Sequence, residues 1–195
     1  MLQIKNLKVD KGSDTICHVP QLEARRGERV AVVGRNGSGK TTLLRVISGL
    51  QKEFAGHCVA DTPRHRRVFV HQAPYMFRGS VLFNTLYGLS SRRQPRQRRI
   101  DIAKQWLDTL GVGELANREG RTLSGGEQRR VALARAFATG ADLLLLDEPL
   151  ADLDEAGIEL VGRAISAASD ATILITSPVP LPGDVNARIH KLDAP

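Results

Sequence analysis

Hydrophobic positions in this chain follow three patterns, and each predicts a different element. Leu2, Ile4 and Leu7, then Leu22 and Ala24, stand out among polar neighbours and predict short strands of an antiparallel platform. His57 to Ala60 and Arg67 to Val70 are expected to continue it. Val30-Ala31-Val32-Val33, Leu143-Leu144-Leu145-Leu146 and Thr172 to Thr176 are unbroken apolar or β-branched runs. The leucine run in particular suits a strand covered on both faces, as at the centre of a parallel sheet. Val81, Leu82, Thr85 and Leu86, then Ile102, Ala103, Trp106, Leu107 and Leu110, recur at helical spacing, and Gly111 stops the second helix. At that spacing Trp106 reads as core rather than as a binding aromatic. Asp154 to Ala168 predicts a surface helix and Ala187 to Leu192 a last short strand.

Between the first apolar run and the helix signal Thr42-Leu43-Leu44-Arg45-Val46-Ile47 lies Gly34-Arg35-Asn36-Gly37-Ser38-Gly39-Lys40-Thr41, a full match to G-x-x-x-x-G-K-[ST] in its strand–loop–helix setting. Its glycines let backbone N–H groups curl around phosphates where Cβ atoms would block them. Lys40 is spaced to reach the β- and γ-phosphates and the Thr41 hydroxyl to ligate Mg²⁺.

The leucine run ends in Asp147 and Glu148, at a strand end, where open α/β sheets place their ligands. Asp147 suits the Mg²⁺ shell, and Glu148 suits orienting or deprotonating an attacking water. Between these motifs lies Leu123-Ser124-Gly125-Gly126-Glu127-Gln128. Ser124 and Glu127 form the S-x-x-E pattern of a capping box. Gly125 and Gly126 remove side chains from a helix N-terminus whose N–H groups and dipole favour an anion.

In this order the motifs resemble the ATP-binding subunit of an ATP-binding cassette (ABC) transporter over nearly the whole chain. That resemblance implies an α/β fold: a P-loop NTPase (RecA-like) core with an antiparallel β subdomain and an inserted α-helical subdomain. One domain spans 1–195, with about 1–72 and 139–195 as core and about 73–138 as the helical part carrying the Ser124 motif. The resemblance places Gly34 to Thr41 with Thr42, and Ser124, Gly125, Gly126 and Gln128, on ATP. It places Thr41, Gln72 and Asp147 on Mg²⁺. Glu148, Gln72 and Ser177 take catalytic places. Ala151-Asp152-Leu153-Asp154 looks like the loop that communicates across a head-to-tail dimer enclosing two ATP molecules, with neither site complete in one chain.

Two positions depart from the family pattern. Where a His usually follows the strand after the acidic pair, this chain has Ser177 and Pro178, and Ser177 offers a hydrogen bond but no protonatable imidazole. Where an aromatic ring usually stacks on adenine, Val9-Asp10-Lys11-Gly12 offers Lys11. Phosphate contacts then carry much of the binding.

The 195 residues, 42% apolar, can bury a core without disulfides. No apolar run approaches the roughly 20 residues that span a bilayer, and the N-terminus lacks a signal-peptide pattern. A translocation pathway is therefore expected in other polypeptides, and with the end at Pro195 no additional regulatory domain is expected. Cys17 and Cys58 are far apart, which gives little support to a metal or redox role and fits a reducing cytosol. The net charge of +7 gathers in Arg64-His65-Arg66-Arg67 and in Ser90 to Arg99. These clusters read as solvated faces, with anionic lipid as the alternative. Nucleic acid is not favoured, because aromatic residues are few and not interleaved with the arginines.

The resemblance implies integral membrane permease subunits as partners, with a separate solute-binding protein, at the cytoplasmic face of the membrane. Tyr75, Met76 and Phe77 read either as an exposed docking groove for a partner helix or as core. The segment Gln72 to Asn84, the Asp147-Glu148-Pro149-Leu150 stretch and the Trp106 helix resemble importers of oxyanions such as tungstate or molybdate. The alternatives are a non-transport ABC ATPase and an ATP-gated dimerisation module with weak hydrolysis.

Overall fold

A computed structural model describes residues 1–90, 94–183 and 185–194. Ser91, Arg92 and Arg93 of the second basic cluster lie outside the described residues. The chain divides into two compact units, one of residues 1–69, 141–148 and 169–195, the other of 70–140 and 149–168. Pro149–Ala168 thus groups with residues 70–140.

In the first unit, β1 (Leu2–Lys11) and β2 (Asp14–Ala24) form a hairpin and β4 (Ala55–Ala60) joins β1, all antiparallel, in the order β2-β1-β4. β1 and β2 are 10 and 11 residues long rather than short. The second sheet has the order β5-β6-β7-β3-β8, from β3 (Arg29–Val33), β5 (Arg67–Val70), β6 (Leu143–Asp147), β7 (Thr172–Ser177) and β8 (Arg188–Lys191). β3 pairs parallel to β7 and β8, and β6 to β7.

Placing β5 with the antiparallel platform is therefore corrected, since it forms the edge of the parallel sheet. The reason is side-chain chemistry at its start. Arg66 Nε and Nη2 bond the Asp142 carboxylate just before β6. Arg67 donates to the carbonyls of Ile47, Ala60 and Thr62. Two arginines of the first basic cluster are thus engaged in structure rather than in a solvated face.

Helix α1 (Lys40–Ser48) packs against both sheets, and Leu43, Leu44 and Ile47 are fully buried with Ile4, Leu22, Val30, Leu145 and Leu174. Each such side chain contributes about 1.5–3 kcal/mol through burial. β6 and β7 are buried along their whole length, as an unbroken apolar run requires.

In the second unit, α2 (Val81–Tyr87), α3 (Arg96–Thr109) and α4 (Gly125–Ala138) pack together, with α5 (Glu155–Ala167) against α3 and α4. Trp106 stacks on Phe137 with ring centroids 4.9 Å apart, a packing role as its spacing predicts. Gly111 ends α3 at φ 64°, a conformation that favours glycine. Tyr75 is exposed, whereas Met76 is buried and Phe77 half-buried. Of the two readings left open for these three residues, exposure holds for Tyr75 and core packing for Met76.

Candidate nucleotide site

The phosphate loop leaves β3 at Gly34, whose N–H donates to Ser177 O at 3.2 Å. Parallel pairing sets Val33 opposite Ser177 and so brings the end of β7 beside the loop. Gly37 and Gly39 adopt φ 84° and 92°, and a Cβ on Gly39 would lie 2.5 Å from Ile16 O. α1 then begins at Lys40 with no side-chain cap, so its first N–H groups are left for an anion.

Lys40 is nearly buried and its Nζ donates to Gly34 O at 2.8 Å and Arg35 O at 3.2 Å, curling back over its own loop. Ser38 is fully buried, and its Oγ has no hydrogen-bond partner among the described residues. An orphaned buried hydroxyl inside a glycine-lined loop fits an anionic ligand that supplies the missing acceptor. Arg35, Asn36 and Gly37 are exposed, whereas Thr41 and Thr42 are half-buried on the first turn of α1.

Asp147, 2% exposed, closes β6. Thr41 Oγ1 lies 3.1 and 2.8 Å from its two carboxylate oxygens. Thr176, which faces Asp147 in the parallel register, donates from Oγ1 to Asp147 Oδ1 at 2.8 Å and accepts from Glu148 N at 2.9 Å. Sequence reasoning missed Thr176, because only strand order reveals that β7 lies beside β6. Glu148 has φ 47°, a strained region for a residue with a side chain. Its bond to Thr176 holds it there. Glu148 Oε1 comes within 3.4 Å of Lys40 Nζ.

A hydroxyl and a carboxylate offer the oxygen ligands that Mg²⁺ takes, with phosphate oxygens and water completing its shell. Among the described residues no group of three or more His, Cys, Asp or Glu side chains could hold a metal by itself. Ser177 is buried, and its Oγ accepts from Val179 N at 3.3 Å. Cys17, against Gly39, has its thiol pushed up to about 11 by burial.

In the second unit the predicted capping box forms. Ser124 Oγ accepts from Glu127 N at 3.3 Å, and Glu127 Oε2 accepts from Ser124 N at 2.7 Å. These bonds hold the Glu127 carboxyl below its ordinary 4.5, the backbone bond first. A Cβ on Gly125 would meet nothing within 4 Å, so this helix start is open. Gly126 instead faces Leu153. Gln128 turns its amide onto Leu123 O at 2.9 Å. Gln72 is exposed just past β5, and its carbonyl accepts from Arg129 Nη2 at 3.0 Å.

The family model described as ABC transporter matches residues 17–151. The chain is 36% identical over 182 residues to the tungstate uptake system ATP-binding protein TupC of Peptoclostridium acidaminophilum, covering 89% of this chain and 85% of that one. It is 36% identical over 198 residues to the molybdenum import ATP-binding protein ModC of Mycobacterium tuberculosis, covering 90% of this chain and about half (52%) of that one. A bacterial Atm1-family ABC exporter with ATP bound shares the fold at TM-score 0.83 and 23% identity, over 99% of this chain and 37% of that one. The phosphate loop, the Asp147–Glu148 strand end and the Ser124 helix start thus stand within a matched family segment, and the chain belongs to the ABC transporter family, as one of its ATP-binding domains and an ATPase.

Proposed function

We propose that this chain energises a membrane importer of a small solute, such as an inorganic oxyanion, by binding and hydrolysing ATP. The observation that carries the reading is the convergence of Lys40 with Glu148, and of Thr41 with Asp147, at one end of the parallel sheet. The names of the TupC and ModC relatives support the solute class.

Residues Gly34 to Thr42 bind the phosphates through backbone N–H groups, Lys40 Nζ and the Ser38 hydroxyl. Thr41 and Asp147 would hold Mg²⁺, with the family resemblance giving Gln72 a share in that role, and the ion when bound would neutralise charge on the phosphate oxygens. Glu148 orients the attacking water and accepts its proton. Ser177 donates a hydrogen bond where the family has His. The open helix start at Ser124, Gly125 and Gly126, with Gln128, receives the γ-phosphate held by a second copy. Two copies therefore close head to tail on ATP. Among the described residues no helix is long and apolar enough to cross a membrane. Permease subunits and a separate solute-binding protein complete the transporter, with this chain on the cytoplasmic face.

The second reading, a dimerisation module with weak hydrolysis, draws on Ser177. Steady-state ATP hydrolysis by the purified chain with Mg²⁺, beside Glu148→Gln and Ser177→His variants and with light scattering, separates the two. Turnover that Glu148→Gln abolishes supports the motor. ATP-dependent dimers without turnover, rescued by Ser177→His, support the module. Co-purification with an integral membrane protein tests the transport role, and its failure beside a soluble partner would favour a non-transport ATPase.

A further inference from the structure

Arg129, on the second turn of α4, is 8% exposed. One nitrogen of its guanidinium does two things. Nη2 donates to Gln72 O at 3.0 Å and lies 3.6 Å from Asp152 Oδ2. Nε and Nη1 are buried without a hydrogen-bond partner among the described residues. Two unmet donors and a desolvated charge oppose folding, and an apolar side chain of similar volume would serve packing alone as well or better.

The partners explain why a cation stands there. The chain passes from the first unit to the second at Phe69–Val70 and again at Glu148–Pro149. Gln72 and Asp152 lie a few residues beyond those two passages, so one guanidinium ties together the chain leaving β5 and the chain leaving β6. Asp152 has φ 57° although it is not glycine. Such a backbone persists where its surroundings over-determine it. Leu153 beside Gly126 adds an apolar contact between the same loop and the start of α4.

We infer that Arg129 is a positioning residue, a latch that holds the Gln72 segment and the 151–154 loop in register with the helix opening at Ser124. This rests on the roles proposed above for Gln72, Glu148 and the Ser124 helix. The latch acts through Gln72 and through the loop that follows Glu148, so it governs the rate of hydrolysis rather than the affinity of one chain for ATP.

The test is a double-mutant cycle on the full chain, Arg129→Gln and Asp152→Asn singly and together, with Arg129→Lys as the conservative variant. kcat and KM for ATP are read at steady state, and the hydrolysis rate by single turnover with protein in excess, which registers slow chemistry. The Asp152 side chain is 88% exposed, so Asp152→Asn leaves the core untouched, and thermal melting checks each fold. The expected result is a fall in kcat of about five- to tenfold for either single change, no further fall in the double, and KM within about twofold, since coupled neighbours are non-additive. Arg129→Lys should restore most of the rate. Parental kcat in a folded Asp152→Asn chain overturns the latch, as do losses that multiply in the double. Should Arg129→Gln fail to fold, the Asp152→Asn rate alone decides. Turnover that survives Glu148→Gln would instead overturn the reading of the site itself, an outcome separate from those above.

Discussion

Lys40 Nζ stands 3.4 Å from Glu148 Oε1, with both side chains largely withdrawn from solvent. The cation proposed to hold phosphate and the carboxylate proposed to activate water are thus direct partners. Glu148→Gln removes the base and keeps the shape. It should lower phosphate release by at least about 100-fold while leaving ATP-dependent dimers, seen by light scattering, intact or longer-lived. Dimers that fail to form in this variant but form in the parent would count against the mechanism.

Lys40→Ala removes a charge-assisted donor from the loop. Hydrogen bonds to charged groups contribute about 1.5–3 kcal/mol, so ATP affinity by fluorescence titration should fall by about 10- to 100-fold. Unchanged affinity would refute the placement of this side chain on the phosphates.

The Thr41 hydroxyl and the Asp147 carboxylate already touch at 2.8 Å, with Thr176 fixing the carboxylate from the other side. Thr41→Ala and Asp147→Asn should each raise the Mg²⁺ concentration for half-maximal hydrolysis by about tenfold, in keeping with the loss of one ligand or its orienting partner. Thr176→Val, which keeps both proposed metal ligands and removes only the hydroxyl that fixes Asp147, should move the same midpoint in the same direction by less. An identical Mg²⁺ dependence in all three variants would exclude this metal site.

Ser177→His tests the departure from the family pattern. The position is buried, so the larger ring should cost about 1–3 kcal/mol of stability, read as a lower melting temperature. Turnover should nevertheless rise several-fold, because an imidazole adds a proton-carrying group. A stable variant with parental turnover would show that the Ser177 position does not limit the reaction.

Ser124→Ala removes the cap of α4 and should cost about 1 kcal/mol. Glu127 supplies a pH dependence to the same cap. Its folded-state carboxyl titrates below its ordinary 4.5, so its contribution is complete above pH 4.5 and is lost as the pH falls through the lower folded value. The melting temperature of the parent should therefore decline below pH 4.5, and Glu127→Gln, which removes the titrating carboxyl, should flatten that decline. Equal acid sensitivity in both would show that the capping box is not its source.

The sequence by itself determined whatever depends on neighbours along the chain. Glycine spacing wrote the phosphate loop, the Ser124–Glu127 pair wrote the start of α4, and an unbroken leucine run wrote a buried strand ending in Asp147 and Glu148. Backbone sterics, capping and periodicity act over a few residues, so they are legible without a partner. Only the tertiary structure decided what those residues meet. Which sheet β5 joins was set by Arg66 reaching Asp142 and Arg67 reaching three carbonyls, contacts that no local pattern encodes. Strand order brought Thr176 onto Asp147, packing turned Met76 inward, and a fold that returns the chain twice to the same place set Arg129 between Gln72 and Asp152. Those pairings follow from long-range closure, whose signal in a single sequence is no stronger than that of any other polar residue at the end of a strand.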